Sequence, residues 1–187
     1  MSLDVTNLKK VFVVGLFRRK EIQAVDNVSF NVKPGKFVSL VGESGSGKTT
    51  TAKMILRLLR PTSGSVIFDG KNVWDLKRIN ELRWYWKNVH AIFQDPYASY
   101  NPLHKIDRIL YQALALIANQ NTEGDSVVKK ALTEVGLRSN DVLGKYPHEL
   151  SGGQRQRIMV ARCFIIKPKL ILADEPISMI DASTRAS

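Results

Sequence analysis

Cysteine is almost absent from this chain of 187 residues, in which Cys163 is the single example. One cysteine excludes a disulfide within the chain, and with it the class of small secreted folds that disulfides hold together. Cys163 lies in an apolar stretch, so we interpret it as a small buried side chain rather than a nucleophile. The composition therefore favours a reducing compartment.

Long hydrophobic stretches are missing as well. Uninterrupted apolar runs such as Ala113–Ala118 are far shorter than the roughly 20 residues that a membrane-spanning helix needs. The start of the chain, Met-Ser-Leu-Asp-Val, has no basic segment followed by an apolar one, so we expect no signal peptide. Hydrophobic residues make up 44% and charged residues 24%, which is typical of a globular domain with its own core.

Acidic residues are outnumbered, with 17 Asp and Glu against 28 Lys and Arg and a net charge of +11. A basic surface suits nucleic acid, anionic lipid or a nucleotide, but scattered basic residues also fit ordinary solvated faces. Only Arg83–Lys87 (RWYWK) interleaves basic and aromatic residues, as binders of single-stranded nucleic acid do. Helical spacing places Trp84 and Trp86 on different faces, which favours packing and surface exposure over a stacking platform.

Hydrophobic periodicity predicts an α/β fold in which strands and helices alternate. The predicted strands are Leu3–Val14, Ala24–Val32, Phe37–Val41, Ser65–Asp69, Val89–Phe93 and Leu170–Ala173. The predicted helices are Lys48–Leu59, Asp75–Trp86, Ile106–Ala118, Ser126–Val135 and a segment from Ser151 to the break at Pro168. Two of the strands, Phe37–Val41 and Leu170–Ala173, are continuous apolar runs, a pattern typical of strands buried on both faces.

A glycine-rich loop between a predicted strand and a predicted helix fits the phosphate-binding pattern G-x-x-x-x-G-K-[ST]. Glycines let backbone N–H groups close around phosphate oxygens at the helix start. Lys48 supplies a positive charge for the β- and γ-phosphates, which gives it a catalytic as well as a binding role, and the Thr49 hydroxyl suits a Mg²⁺ position. The alternative is a glycine-rich turn with a chance lysine. The predicted nucleotide-binding residues here are Gly42, Ser44, Gly45, Ser46, Gly47, Lys48, Thr49 and Thr50.

Two carboxylates follow the apolar run Leu170–Ala173. Ligands bind at the carboxyl ends of strands in open α/β sheets, so acids at that end indicate a site. Asp174 can hold Mg²⁺, and Glu175 can polarise an attacking water as a catalytic base. The alternative is a helix cap or a solvent-facing turn.

The sequence Leu-Ser-Gly-Gly-Gln at Leu150–Gln154 is a second helix start suited to an anion. With the phosphate loop and the paired acids, it resembles the signature motif of the ABC ATPases, the ATP-binding subunits of ABC transporters. In that family the motif lies against the γ-phosphate held by another subunit, in a head-to-tail dimer. The resemblance therefore implies nucleotide contacts from four residues, Ser151, Gly152, Gly153 and Gln154.

Other positions match the same family one by one. Gln94 matches the glutamine that senses Mg²⁺ and the attacking water, and we assign it both a catalytic and a metal-binding role. Phe12 matches the aromatic residue that stacks on adenine, the alternative being a strand residue that faces the core. Ser178–Asp181 resembles the D-loop, which adds Asp181 to the nucleotide site. The stretch Gln94–Pro102 resembles oligopeptide, dipeptide and nickel importers.

The resemblance implies a P-loop NTPase core (residues 36–94 and 155–187), an N-terminal antiparallel β-subdomain (1–35) and an inserted helical subdomain (95–154). It implies ATP and Mg²⁺ as cofactors. The implied partners are a second ATP-binding subunit, membrane permease subunits and, indirectly, an extracytoplasmic substrate-binding protein. Nucleic acid is not expected. The implied location is cytoplasmic, at the inner face of the cell membrane.

The family's switch histidine, on a core strand after the D-loop, would fall beyond Ser187, so we expect the domain to be incomplete and its last core strands to be missing. The chain's three histidines, His90, His104 and His148, all precede Asp174. Without that histidine we expect turnover to suffer more than ATP binding, because the phosphate loop is present. Two other functions remain open at this point: a non-transport ABC ATPase that acts on nucleic acid or ribosomes, and a nucleotide-binding fragment without turnover.

Overall fold

A long β-hairpin begins the fold. The computed structural model describes four stretches of the chain, which are residues 2–15, 20–92, 100–117 and 124–174. Strand β1 (Leu3–Val14) pairs antiparallel with β2 (Lys20–Val32) on one side and with β3 (Ser63–Phe68) on the other. The short strand β4 (Lys71–Asn72) extends this sheet, whose order is β2-β1-β3-β4. The expected N-terminal antiparallel sheet is thus confirmed.

Alternating apolar positions bury one face of this sheet. Leu3, Val5 and Leu8 on β1 are at most 2% exposed, and Val66 and Phe68 on β3 are fully buried. Side chains that alternate along a strand point to opposite faces, so this spacing directs one set into the core. Burial of these apolar side chains stabilises the sheet.

Aromatic side chains close the core beside β3. Helix α2 (Ile79–Asn88) carries Trp84 and Tyr85, whose ring centroids each lie 5.7 Å from that of Phe68. The Tyr85 hydroxyl donates to the backbone carbonyl of Ile55, and burial raises the pKa of Tyr85 well above its usual value. Trp86, by contrast, is 43% exposed. The two tryptophans therefore form no common platform, as their spacing predicts.

Helix α1 (Lys48–Ile55) follows the glycine-rich loop and ends earlier than the prediction of Leu59. Arg57 adopts a positive φ of 59°, which interrupts a right-handed helix. The N–H of Leu58 then donates to the Lys53 carbonyl at 2.9 Å and closes the helix end. The local backbone at Arg57 therefore ends this helix.

The predicted strand Phe37–Val41 is wrong. None of the described residues pairs with this segment as a strand, and it has no regular secondary structure. Phe37 is 102% exposed and Val41 is 92% exposed, so burial on both faces is wrong as well. An apolar run forms a buried strand only where neighbouring strands satisfy its backbone N–H and C=O groups, and the described part of the chain supplies no such neighbour.

A second, parallel pair of strands carries the acidic site. Strand β5 (Val89–Ile92) pairs in register with β6 (Leu170–Ala173), so that Ile92 lies opposite Ala173. The strand at Leu170–Ala173 is therefore confirmed, but its predicted burial is wrong, because Ile171 is 47% exposed. Within the described residues β6 has one neighbouring strand, β5, which leaves part of its surface uncovered.

Four helices form the rest of the second half of the chain. They are α3 (Ile106–Ile117), α4 (Gly124–Glu134), α5 (Ser139–Val142) and α6 (Gly152–Ile166), with a 3-10 turn at Pro147–Glu149. Apolar residues repeat at helical spacing on α3, α4 and α6, and these faces share one core. Leu110, Leu132 and Ile158 are fully buried there. The helical region expected before the signature motif is thus present.

The chain divides into two compact units, Met1–Tyr85 and Trp86–Ser187. The first holds the antiparallel sheet and α1, and the second holds the parallel strand pair and α3 to α6. The finer division into β-subdomain, core and helical subdomain stays a prediction. Among the described residues, no helix combines the length and the apolar character that crossing a membrane requires.

Candidate functional site

The predicted phosphate loop is a turn that leads directly into α1. Gly45 and Gly47 have positive φ angles of 83° and 90°, a region that glycine adopts without steric cost. Gly47 is the N-cap of α1, where no side chain caps the first amides, and the first turn of α1 contains no acidic residue. A helix start of this kind suits an anion, which the helix dipole also favours.

Lys48 folds back over this loop. Its Nζ donates to the carbonyls of Gly42 and Glu43, both at 2.7 Å, and lies 3.3 Å from the Ser46 hydroxyl. The ammonium group thus lies at the mouth of the loop, held by weak neutral acceptors. A phosphate group is a stronger, charged acceptor for the same ammonium. Most other members of the predicted set are solvent-accessible here, among them Ser44, Ser46, Thr49 and Thr50.

Gly47 is required by packing as well as by conformation. A Cβ at this position would lie 2.3 Å from the carbonyl oxygen of Ala24 on β2. The pairing of β1 with β2 shifts at this point, since Lys10 pairs with Val25 and Val11 with Gln23, which leaves Ala24 unpaired as a bulge. The bulge turns the Ala24 carbonyl against the phosphate loop. Sequence reasoning missed Ala24, because no local pattern marks a bulge.

Phe12 lies on the same hairpin, opposite Ile22. Its side chain is 36% exposed, so the alternative of a core-facing strand residue is not what the structure shows. The Nζ of Lys10 lies over its ring, 5.2 Å from the centroid. The accessible ring is compatible with base stacking, and its contact with adenine stays a prediction. The Lys10 contact was not foreseen, although the two residues are one strand repeat apart.

The signature segment begins helix α6. Ser151 is its N-cap, and its hydroxyl oxygen accepts the N–H of Gln154 at 3.2 Å. The Gln154 carboxamide oxygen in turn accepts the N–H of Ser151 at 2.9 Å, which completes a capping box. Cβ atoms at Gly152 and Gly153 would meet nothing within 4 Å, so the space beside both Cα atoms is open. The Ser151 hydroxyl keeps its hydrogen for donation to an anion.

Buried polar contacts hold this helix start in place. Arg155 is only 3% exposed, and one of its guanidinium nitrogens donates to the Pro147 carbonyl at 2.6 Å. The Tyr100 hydroxyl donates to the Arg155 carbonyl at 2.5 Å, and burial raises the pKa of Tyr100 strongly. Arg155 directly follows the signature motif in the sequence, whereas Tyr100 lies far away along the chain and sequence reasoning missed it.

Asp174 lies at the carboxyl end of β6, where a metal-binding acid is expected. Its N–H donates to the carbonyl of Ile92 at 2.9 Å, so it continues the pairing of β6 with β5. His90, which lies on β5 itself, is 8% exposed. Burial is the main cause that lowers the pKa of His90, with the charge of Arg162 as a further cause. His90 is therefore a neutral core residue near neutral pH rather than a phosphate ligand.

Three predicted site residues lie outside the described residues: Gln94, Glu175 and Asp181. Among the described residues, no group of three or more His, Cys, Asp or Glu side chains is placed to hold a metal ion. Mg²⁺ does not need such a group, because it takes one or two protein oxygens and completes its shell with phosphates and water. The oxygens of Thr49 and Asp174 are of the hard type that Mg²⁺ prefers.

Comparison with known proteins identifies the family. A model of the ABC transporter family matches residues 25–178, which include the phosphate loop, the signature segment and Asp174. The chain belongs to the ABC transporter family. Among its ABC relatives, the oligopeptide transport ATP-binding protein AppF of Bacillus subtilis is 41% identical over 98% of this chain. The glutathione import ATP-binding protein GsiA of Salmonella typhimurium is 43% identical over 91% of it.

The ABC fold is also found among solved structures. A dimeric ATP-binding cassette in a post-hydrolysis state, bound to ADP and Pi, superimposes with a TM-score of 0.84 at 30% identity. The superposition covers 97% of this chain and 77% of that cassette. The chain spans 57% of the length of AppF and 28% of that of GsiA.

Proposed function

We propose that this chain binds and hydrolyses ATP and thereby energises solute import by an ABC transporter, with peptides as the solute class. The observation that carries the proposal is a pair of helix starts suited to an anion, one at Gly47–Lys48 and one at Ser151–Gly153. A single nucleotide needs one phosphate loop. Two such features on one chain are explained if each nucleotide lies between two copies, with the loop of one facing the signature segment of the other.

Within this proposal each residue has a chemical task. The loop amides and Lys48 hold the β- and γ-phosphates, and Phe12 stacks on the base. Thr49, Asp174 and Gln94 would hold Mg²⁺, which would neutralise developing phosphate charge when bound. Glu175 and Gln94 orient the attacking water. Ser151 and the two glycines after it donate to the γ-phosphate in the opposite copy, where Asp181 also contributes.

Peptide import is supported by the names of the similar proteins, which are transport and import ATP-binding proteins. On this basis we propose that permease subunits in the membrane and a second ATP-binding subunit are the partners, at the inner face of the cell membrane. A substrate-binding protein outside the cytoplasm would act indirectly. The alternative of a non-transport ATPase on nucleic acid has less support, because Trp84 and Trp86 form no joint stacking surface.

Thermal unfolding with and without Mg·ATP tests the nucleotide site. A ligand at a hundred times its dissociation constant adds about 2.7 kcal/mol to the folding stability. We expect Mg·ATP to raise the melting temperature of the chain and Lys48→Ala to abolish that rise, because Lys48 supplies the positive charge at the start of α1.

Lys53→Ala is the matched control, since Lys53 is an exposed lysine in the last turn of the same helix. It removes the same charge at a distance from the loop, and we expect the Mg·ATP shift to remain. A shift of equal size in Lys48→Ala and in the unaltered chain would contradict the proposed site.

A further inference from the structure

A lysine lies over the aromatic ring that is proposed to stack on the base. Lys10 and Phe12 are two residues apart on β1, so their side chains lie on the same face of the sheet. The Nζ of Lys10 is 5.2 Å from the centroid of the Phe12 ring, within the distance at which an ammonium group is attracted to an aromatic face. The ammonium therefore covers one face of a ring that is 36% exposed.

The ammonium group is itself anchored. Lys10 Nζ donates to the backbone carbonyl of Arg60 at 2.8 Å. Arg60 lies in the segment that leaves α1, and the next residues of that segment are tied to β1 in two further places. The N–H of Thr62 donates to the Lys9 carbonyl at 2.8 Å, and the N–H of Val11 donates to the Thr62 hydroxyl at 3.0 Å. Lys10 is thus held on a rigid support.

The same hairpin also supports the phosphate loop. Gly47 packs closely against Ala24 and Val25 of β2, and Val25 pairs with Lys10 across the strands. Phe12 is two residues further along β1, which is about 7 Å along a strand. The ring and the phosphate loop are therefore positioned by neighbouring parts of one hairpin, as the base and phosphates of a single nucleotide require.

We propose that Lys10 is a positioning residue for the nucleotide base. By occupying one face of Phe12 and bonding to the Arg60 carbonyl, it fixes the orientation of the ring and leaves the opposite face for a purine. Lys10 itself contacts neither the base nor the phosphates. The proposal rests on the proposed function, because it requires ATP to bind at the phosphate loop.

Calorimetry that measures the Kd values of two ligands tests whether Lys10 acts on the base alone. Mg·ATP carries a base, whereas Mg·tripolyphosphate presents phosphates alone. We expect Lys10→Met to weaken Mg·ATP binding about two- to fivefold, the size of an exposed cation–π contact, and to leave the Kd of Mg·tripolyphosphate unchanged. Lys10→Arg keeps a cation that can lie on the ring and reach the same carbonyl, so we expect it to bind Mg·ATP as the unaltered chain does.

Lys9→Met is the matched control. Lys9 is the neighbouring lysine on the opposite strand face, 3.5 Å from Asp26, and its removal changes the net charge by the same amount. We expect both Kd values to stay unchanged in this variant.

Three results would overturn the Lys10 role while leaving the ATP site intact. They are equal weakening of both ligands by Lys10→Met, no weakening of either ligand, and a Lys10→Arg variant as weak as Lys10→Met. If instead the unaltered chain fails to bind Mg·ATP, or binds it independently of Lys48, the proposed function itself is wrong and the Lys10 role is overturned with it.

Discussion

At the scale of single residues, the phosphate loop depends on glycines for two different reasons. Gly45 and Gly47 both have positive φ, but a Cβ at Gly45 would meet nothing within 4 Å, whereas one at Gly47 would meet the Ala24 carbonyl at 2.3 Å. The motif pattern alone predicts the need for glycine at Gly47. The structure adds that this glycine also allows the loop to pack against the hairpin.

This difference can be measured by urea unfolding of Gly45→Ala and Gly47→Ala. We expect Gly45→Ala to lower the free energy of unfolding by about 1–2 kcal/mol, the cost of a left-handed backbone with a Cβ. Gly47→Ala adds a backbone clash, so we expect a loss of about 3 kcal/mol or more. Equal losses in the two variants would contradict the close packing of Gly47 on Ala24.

At the scale of elements, helix α6 shows how one residue serves stability and binding together. The Ser151 hydroxyl accepts the N–H of Gln154 within a capping box, and the proposed function gives the same hydroxyl a phosphate to bind. A helix without its N-cap leaves a backbone donor unsatisfied. A loss of function in a Ser151 variant can therefore arise from the helix alone.

Two substitutions test the capping role of Ser151. We expect Ser151→Ala to lower the free energy of unfolding by about 1 kcal/mol, because alanine cannot accept the N–H of Gln154. Ser151→Asp keeps an acceptor and adds a favourable charge at the helix start, so we expect its stability to match that of the unaltered chain. Urea unfolding measures both values. A Ser151→Asp variant as unstable as Ser151→Ala would show that the cap is not what Ser151 contributes.

Whether a predicted strand forms depends on a partner strand as well as on its own residues. Strand β1 was predicted with its observed bounds, because alternation over Leu3–Val14 is a local signal. Phe37–Val41 was predicted as a buried strand from equally suitable residues, but it has no strand partner in the described part of the chain. Composition supplies the propensity for a strand, and pairing supplies its hydrogen bonds.

At the scale of the whole molecule, a basic chain exposes an apolar segment. Phe37, Val38, Leu40 and Val41 are all at least 40% exposed, and an exposed apolar segment favours association with other chains. The net charge of +11 opposes this, because like-charged molecules repel. Salt screens that repulsion over about 10 Å at 0.1 M but does not weaken apolar contact.

We therefore expect the nucleotide-free chain to self-associate more strongly as the salt concentration rises, as measured by sedimentation velocity. Phe37→Ser should reduce that association and change the free energy of unfolding by no more than about 0.5 kcal/mol, because the side chain is fully exposed. Leu103→Ser is the control. It removes an exposed apolar side chain outside the segment Phe37–Val41, and it should leave association unchanged. Undiminished association of Phe37→Ser would show that this segment is not the contact.

The sequence by itself determined where the residues of the candidate site fall on helices and strands. Lys48, Ser151 and Asp174 were predicted from short motifs, and each lies at a helix start or strand end suited to a phosphate or a metal ion. Such motifs are readable because the loop, the cap and the strand end are formed by residues adjacent in the chain. The family followed from the same motifs.

Only the tertiary structure decided what supports those motifs. The bulge at Ala24 against Gly47, the Arg60 carbonyl that holds Lys10, and Tyr100 on Arg155 each join residues that are distant in sequence. No local pattern specifies such pairs, since they arise when separate elements pack and their remaining polar groups find partners. The apolar run at Phe37–Val41 shows the same dependence, because no strand among the described residues pairs with it and its residues stay exposed.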